Sequence, residues 1–246
     1  MKVSIITISF NSEKTIEQTL KAVKNQTYPH IEHIIIDGNS TDQTLKTCNK
    51  YTHISKILSE PDKGVYDAFN KGIKLATGDL IGFLNSDDVF ADNTAIETIV
   101  RAFDEDLDCV YGNLNYINSK GNIIRKWRSK TFTNGAFKKA WMPAHPTFYC
   151  KRDVYNRVGS YDESFRIAGD FELMLRFFEK EKIRSQFINK VLVNMLEGGI
   201  SNQGLKSKME ILKEEFRAFK KNKILINKLS YVLFKTAKIK EFFLNS

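Results

Sequence analysis

Leu80-Ile81-Gly82-Phe83-Leu84 runs directly into Asn85-Ser86-Asp87-Asp88. An apolar run of that length, stopped by two adjacent carboxylates, reads as a short buried strand with a charged carboxyl end. Neighbouring acids repel unless a cation or a set of hydrogen-bond donors offsets them, and their oxygens suit hard ions such as Mg²⁺ or Mn²⁺. Asn, Ser and Asp are also turn residues, so a surface turn is the competing reading.

Two earlier stretches have the same form. Val3-Ser4-Ile5-Ile6-Thr7-Ile8 runs into Ser9-Phe10-Asn11-Ser12, and His33-Ile34-Ile35-Ile36 runs into Asp37-Gly38-Asn39-Ser40-Thr41-Asp42. Continuous β-branched runs separated by helical patterns read as parallel strands covered on both faces. Ligands of such sheets bind outside the carboxyl ends of the strands. Residues 9–12, 37–42 and 85–88 are therefore expected to converge on one crevice.

The spacers fit that layout. Ser12 is expected to cap a helix carrying Ile16, Leu20 and Val23, and Ser40 with Gln43 matches a capping box for a second helix, giving β-α-β-α-β order. Before the strand at Leu80, Gly64 permits a sharp helix entry and Gly72 or Gly78 can end that helix.

Together these stretches, with Asp62-Lys63-Gly64-Val65-Tyr66-Asp67-Ala68-Phe69-Asn70-Lys71-Gly72 between the second and third, resemble the family 2 glycosyltransferases of bacterial surface-polysaccharide type. The resemblance continues through Ala144-His145-Pro146-Thr147-Phe148-Tyr149 and Gly159-Ser160-Tyr161-Asp162-Glu163-Ser164-Phe165 to Gly169-Asp170-Phe171-Glu172 and covers roughly residues 1–205. It implies an α/β GT-A fold, a Rossmann-like and mostly parallel sheet flanked by helices. The implied activity is inverting, metal-dependent transfer of a sugar from a nucleotide diphosphate sugar to a glycan or lipid-linked acceptor, in polysaccharide or lipopolysaccharide biosynthesis.

The same resemblance implies roles residue by residue. Asp170 would be the catalytic base, with helix capping as its structural alternative. Asp37 would accept a hydrogen bond from a ring N–H of the base, which favours a UDP-sugar; otherwise it caps the helix after Ser40 or shapes the Asp37-Gly38 turn. Ser9, Asn11, Asp62, Lys63, Asn70, Asn85 and Ser86 would line the nucleotide pocket. Asp87 and Asp88 would hold the divalent Mn²⁺ or Mg²⁺. Position 85 departs from the family's usual acid-any-acid triplet, because Asn85 can accept a hydrogen bond but brings no charge. His145 and Trp141 would face the acceptor or the phosphates, against the alternatives of a satisfied structural histidine and core packing. His30, His33 and His53 sit at strand or loop edges without ligand spacing, and Arg176 is expected to brace the helix or a carboxylate.

The chain has 246 residues, a formal charge of +9 and three scattered cysteines, a composition that points to reduced buried thiols rather than a disulfide framework or a zinc site. Residues 204–246 hold 11 Lys/Arg and 4 Glu, net +7, leaving +2 for the rest. Leu225, Leu229, Val232 and Leu233 beside Lys228 and Lys235 form a basic amphipathic pattern, suited to an anionic membrane surface or to packing on the domain rather than to nucleic acid. The expected division is a GT-A domain over 1–203, with a nucleotide half at 1–110 and an acceptor half at 111–203, followed by a helical basic tail at 204–246. Without a signal-peptide pattern or an apolar run near 18 residues, the location is expected to be cytoplasmic, peripheral on the inner face of the membrane. A nucleotidyltransferase would show a Gly-rich basic loop after its first strand, whereas Ser9-Phe10-Asn11-Ser12-Glu13 has no glycine. A non-catalytic sugar-binding protein of the same fold would be signalled by loss of Asp170 or of both strand-end acids.

Overall fold

The computed structural model describes residues 1–198 and 204–244. Val3–Ser9 forms β1, Ile31–Asp37 β2, Ile54–Ser59 β3 and Leu80–Phe83 β4, four mutually parallel strands in the order β3-β2-β1-β4. Their apolar side chains are almost entirely buried in β1, β2 and β4, because helices cover both faces. Val89–Phe90 (β5), Cys109–Ile117 (β6), Ile123–Trp127 (β7), Tyr149–Lys151 (β8) and Ser185–Leu196 (β9) extend the sheet. From β4 the order continues β8-β6-β9-β5, with β7 paired to β6. β6 and β9 run with the first four strands, and β8, β7 and β5 run against them. The expected mixed α/β sheet is present.

β3 was absent from the expected order. It lies at the sheet edge with mostly exposed residues, so it lacks the buried apolar run that betrays its neighbours, and its exposed Lys56 suits an edge. His33 lies inside β2, not at its edge, fully buried, with its ring bonded to Thr7 Oγ1 at 3.0 Å and His53 at 3.1 Å.

The helices follow the apolar spacing, while the caps differ from those expected. Ile16–Lys24 (α1) buries Ile16, Leu20 and Val23 as anticipated, but Ser12 offers it only a backbone carbonyl, since its hydroxyl bonds Ser86. Ser40 cannot cap Thr44–Cys48 (α2), because Asp37 engages its hydroxyl; Asp42 accepts from the Thr44 N–H instead. Val65–Leu75 (α3) starts after Gly64 at φ 143°, a backbone open to glycine. It runs straight through Gly72, where any Cβ would collide with Ile6 on β1, and ends before Gly78. Ala95–Ala102 (α4) and Arg152–Val158 (α5) complete the outer cover of the sheet, and all three cysteines are buried and free.

Gly169–Leu175 (α6) is almost wholly buried, and its Phe171 meets Phe137, which in turn packs on Phe178 just beyond the helix. Gly204–Lys221 (α7) packs on α6, burying Ala218 and Phe219, and Lys228–Leu244 (α8) adds the buried Tyr231. The basic segment thus packs on the domain through Ala218, Phe219 and Tyr231, and not through the leucine stripe expected to do so. That stripe stays open, with Leu229 at 72% and Leu233 at 61% exposure on α8 and Leu225 at 89% in the turn before it. The expected boundary at 203/204 abuts residues 199–203, which lie outside the described residues. Among the described residues, no helix is long and apolar enough to cross a membrane.

Candidate functional site

The carboxyl ends of β1, β2 and β4 do converge. Asn11 takes a left-handed backbone (φ 47°), tolerated by Asn, and its Oδ1 accepts from the Thr41 N–H at 2.9 Å while its own N–H donates to Ser40 Oγ at 2.8 Å. The Ser12 and Ser86 hydroxyls meet at 2.8 Å, and Thr19 Oγ1 donates to the carbonyls of Asn85 and Asp88. These bonds lock the three loops around a cleft of ≈ 710 Å³, lined by Asn11, Ser12, Thr41, Asp42, Ser86 and Asp87 together with residues 196–198 at the end of β9.

Asp37 lies beneath this cleft with no exposure. Its Oδ1 accepts from Ser9 Oγ (3.1 Å) and Ser40 Oγ (2.6 Å), and its Oδ2 from the Ser40 N–H (2.9 Å) and Ser59 Oγ (2.8 Å). Four donors fill a carboxylate's usual capacity. This is the geometry of the turn-shaping alternative: Asp37 ties the ends of β1, β2 and β3 together instead of presenting an open acceptor. Asp62 is nearer to that description. Its Oδ1 pairs with Lys71 at 2.7 Å, and its Oδ2 faces Gly38, where a Cβ would approach it to 2.8 Å. Phe10, absent from the expected site residues, stands beside Gly38 with 65% of its surface exposed. An unburied aromatic directly after a buried strand was the signal for it.

Asp88 is fully buried beside Asp87. Burial first, then the Asp87 charge, pushes its carboxyl well above the usual range, and the Leu196 backbone N–H and then the Asn85 amide, bonded to it at 3.3 Å, offset this only in part. Burial also raises Asp87. Asp88 Oδ1 and Asn85 Oδ1 are buried acceptors without a hydrogen-bond partner. Such orphaned oxygens beside a costly double charge fit a hard cation. Among the described residues, no group of three or more His, Cys, Asp or Glu gathers as a ligand set, so remaining ligands would come from substrate oxygens or water.

Asp170 lies in the first turn of α6, and its Oδ1 is buried without a partner. The first N–H of α6 goes to the Tyr66 hydroxyl and not to Asp170, so the capping alternative is not the geometry found. The Tyr161 phenol, raised well above its usual range by burial and then by the Asp170 charge, stands next to it. Asn70 does not face the cleft: its amide clamps the Tyr161 backbone, donating to the carbonyl at 3.0 Å and accepting from the N–H at 2.9 Å. Arg176 braces as expected, pairing with Glu172 at 3.2 Å and donating to the carbonyls of Val158, Gly159 and Ser160. Trp141 is 9% exposed among Tyr111, Phe132, Phe137 and Phe178, a core position. His145 is half-buried in a short turn before β8, and Lys63 is exposed.

Comparison with known proteins accords with this architecture. A PGL/p-HBAD biosynthesis glycosyltransferase of Mycobacterium bovis is 29% identical over 206 residues, covering 81% of this chain and 78% of that protein. Staphylococcus aureus TarS, solved in complex with UDP-GlcNAc, superposes with a TM-score of 0.68 at 20% identity, covering 89% of this chain and 66% of TarS. The Pyrobaculum calidifontis mannosyltransferase PcManGT, solved with GDP-Man and Mn²⁺, gives 0.65 at 18% identity, over 89% and 63%. The fold is thus GT-A, and this chain spans about two thirds of those two structures' length. The model described as "Glycosyl transferase family 2" matches residues 4–168, from β1 through the cleft loops after β1, β2 and β4 to the threshold of α6, so the chain belongs to glycosyl transferase family 2 and is a glycosyltransferase.

Proposed function

We propose that this protein transfers a sugar, with inversion, from a uridine diphosphate sugar to a glycan or lipid-linked acceptor in surface-polysaccharide assembly. The observation that carries this reading is the presence of two carboxylates that each keep one buried oxygen without a partner: Asp88, behind the nucleotide cleft, and Asp170, at the head of the buried helix α6. The UDP-GlcNAc bound by TarS and the GDP-Man and Mn²⁺ bound by PcManGT support a nucleotide-sugar donor and a divalent ion.

In this reading the nucleotide lies across residues 1–110. The Phe10 ring offers a stacking face for the base, and Asp62 Oδ2 accepts from a ring N–H that uracil and guanine have and cytosine lacks. Asp37 holds Ser9, Ser40 and Ser59 so that this pocket keeps its shape. Asp87 and Asp88, with Asn85 and Ser86 beside them, hold Mn²⁺ or Mg²⁺, which when bound stabilises the negative charge of the leaving diphosphate. Residues 111–203 form the acceptor half, with His145 at its edge. Asp170 removes the proton of the attacking hydroxyl on the face opposite the departing nucleotide, so a single displacement needs no covalent carboxylate intermediate.

The open apolar face of Leu225, Leu229 and Leu233, among the lysines of residues 204–246, favours a cytoplasmic protein that rests on an anionic membrane, where a lipid-linked acceptor would be met. Screening nucleotide sugars for hydrolysis and transfer, with Mn²⁺ and with chelator, tests the whole reading. One donor consumed in a metal-dependent manner supports it, and no turnover of any sugar nucleotide overturns it.

A further inference from the structure

The segment before Asp170 is held entirely from outside. Arg166, Ile167 and Ala168 send three successive backbone N–H groups to one carboxylate, Glu214 on α7: Arg166 to Oε1 at 2.9 Å, Ile167 to Oε2 at 3.0 Å and Ala168 to Oε2 at 2.8 Å. Ala168 is the residue that opens α6, and no side chain caps it locally. Glu214 is 8% exposed and lies 46 residues beyond Ala168, where the family match stops. The neighbouring turn of α7 grips the same segment, with Arg217 donating to the Ser164 carbonyl at 2.9 Å and its guanidinium 3.8 Å from the Phe165 ring centre.

We infer that Glu214 is a positioning residue that sets the direction of Asp170 through the backbone of residues 166–168; this rests on Asp170 being the base. A carboxylate is required because three donors converge on two oxygens, and each bond to a charged acceptor is stronger than a neutral one. A glutamine of the same shape presents a single oxygen and turns an NH₂ toward N–H groups, so it loses bonds while keeping its packing. Asp170 is two residues from Ala168; its Oδ1 has no partner, and the Tyr161 phenol is the side chain that hydrogen-bonds the group, so its aim depends on where the backbone holds it. Release of the segment therefore misaims the base without disturbing the donor cleft formed by residues 9–12, 41–42 and 85–87.

The test is a double-mutant cycle of Glu214→Gln and Asp170→Asn, with the donor KM, kcat and thermal midpoint measured for each variant. Glu214→Gln should lower kcat by about 10- to 100-fold, the scale for a misplaced catalytic group, with the donor KM unchanged. In the Asp170→Asn background it should cost almost nothing more, since groups acting through one another are not additive. Glu214→Asp, which keeps both oxygens but retracts them by one methylene, should fall between. Glu215→Gln is the structural control: its carboxylate pairs with Lys235 of α8 and its loss should lower the thermal midpoint with parental kcat. Parental kcat in folded Glu214→Gln, or an equal loss in both backgrounds, overturns the inference alone. Parental turnover in Asp170→Asn overturns the base assignment and this inference with it.

Discussion

The Tyr66 hydroxyl accepts from the Gly169 N–H and donates to the Ile167 carbonyl, both at 2.8 Å, so that α3 reaches across the molecule and ties down the start of α6. The ring sits where a Cβ on residue 169 would be, 2.5 Å from its Cζ, which makes glycine the residue that fits. The same ring lies 5.4 Å from Tyr161, stacked at 16°. One residue of the nucleotide-side helix thereby touches both neighbours of Asp170.

Tyr66→Phe is expected to leave that buried N–H and carbonyl unpaired. The cost should be about 1–3 kcal/mol of stability, with reduced turnover at unchanged donor affinity. Urea unfolding and steady-state kinetics check this. An unfolding midpoint equal to the parent's would show that the bridge contributes nothing.

Asp88 gives a prediction with a pH sign. Its folded pKa stands above its unfolded value, so the folded state holds a proton that the unfolded state has already released. Stability is accordingly fullest below the ordinary carboxylate range and is lost as pH rises through the raised folded value. Asp88→Asn should raise the thermal midpoint in chelator at pH 7.5, by about 2–4 °C for each kcal/mol recovered in a chain of this size. Mn²⁺ should stabilise the parent and not the variant, and less at pH 5 than at pH 7.5, because binding requires the ionised form. Differential scanning fluorimetry with and without Mn²⁺ reads all three, and an Mn²⁺ response retained by Asp88→Asn would remove this carboxylate from the metal site.

The central strands and the meeting of their loops were legible because β1, β2 and β4 are unbroken apolar runs that end in polar residues. A period-free run fixes a strand but not the hydrogen bonds of the loop after it. Asp37 and Asn70 carry the right chemistry at the right distance along the chain, and only the fold shows that Ser9, Ser40 and Ser59 saturate the first and that Tyr161 occupies the second. Glu214 was invisible for a related reason: it sits in a basic helical segment whose lysines dominate its composition, and its partners are backbone groups that leave no side-chain pattern.

For the donor, isothermal calorimetry with the four common nucleoside diphosphates should find UDP tightest. Phe10→Ala should weaken UDP by about tenfold, within the 1–3 kcal/mol measured for a stacked base on an aromatic ring. Asp62→Asn should narrow the preference for UDP over CDP, since the amide can donate to the cytosine ring nitrogen. Equal affinity for all four nucleotides in the parent would dismiss base reading at this pocket.

For the membrane face, deletion after Asn222 is a poor probe, because it removes the buried Tyr231 and the Lys235–Glu215 pair and so damages the packing of α7. Leu229→Glu with Leu233→Glu changes only exposed positions. The pair should abolish sedimentation with phosphatidylglycerol vesicles at low salt while the thermal midpoint stays within a degree or so of the parent's, as surface changes generally do. Undiminished vesicle binding would move the lipid contact elsewhere or discard it.

Asp170→Asn is the sharpest test of the chemistry. The amide has nearly the shape of the carboxylate, and no helix cap is lost, because the first N–H of α6 is taken by Tyr66 and not by Asp170. What disappears is the ability to accept a proton from the attacking hydroxyl as it becomes an alkoxide. Turnover should fall by about 10²–10⁴-fold, the range for a positioned acid or base, while UDP-sugar affinity and the thermal midpoint remain near the parent's. The Tyr161 phenol hydrogen-bonds the Asp170 side chain, and the amide oxygen of the Asn variant still offers that donor an acceptor, which separates a chemical loss from a folding one. Transfer at the parental rate by the Asn variant would reduce Asp170 to a buried polar residue and send the search for the base to another group on the acceptor side, with His145 the first to examine.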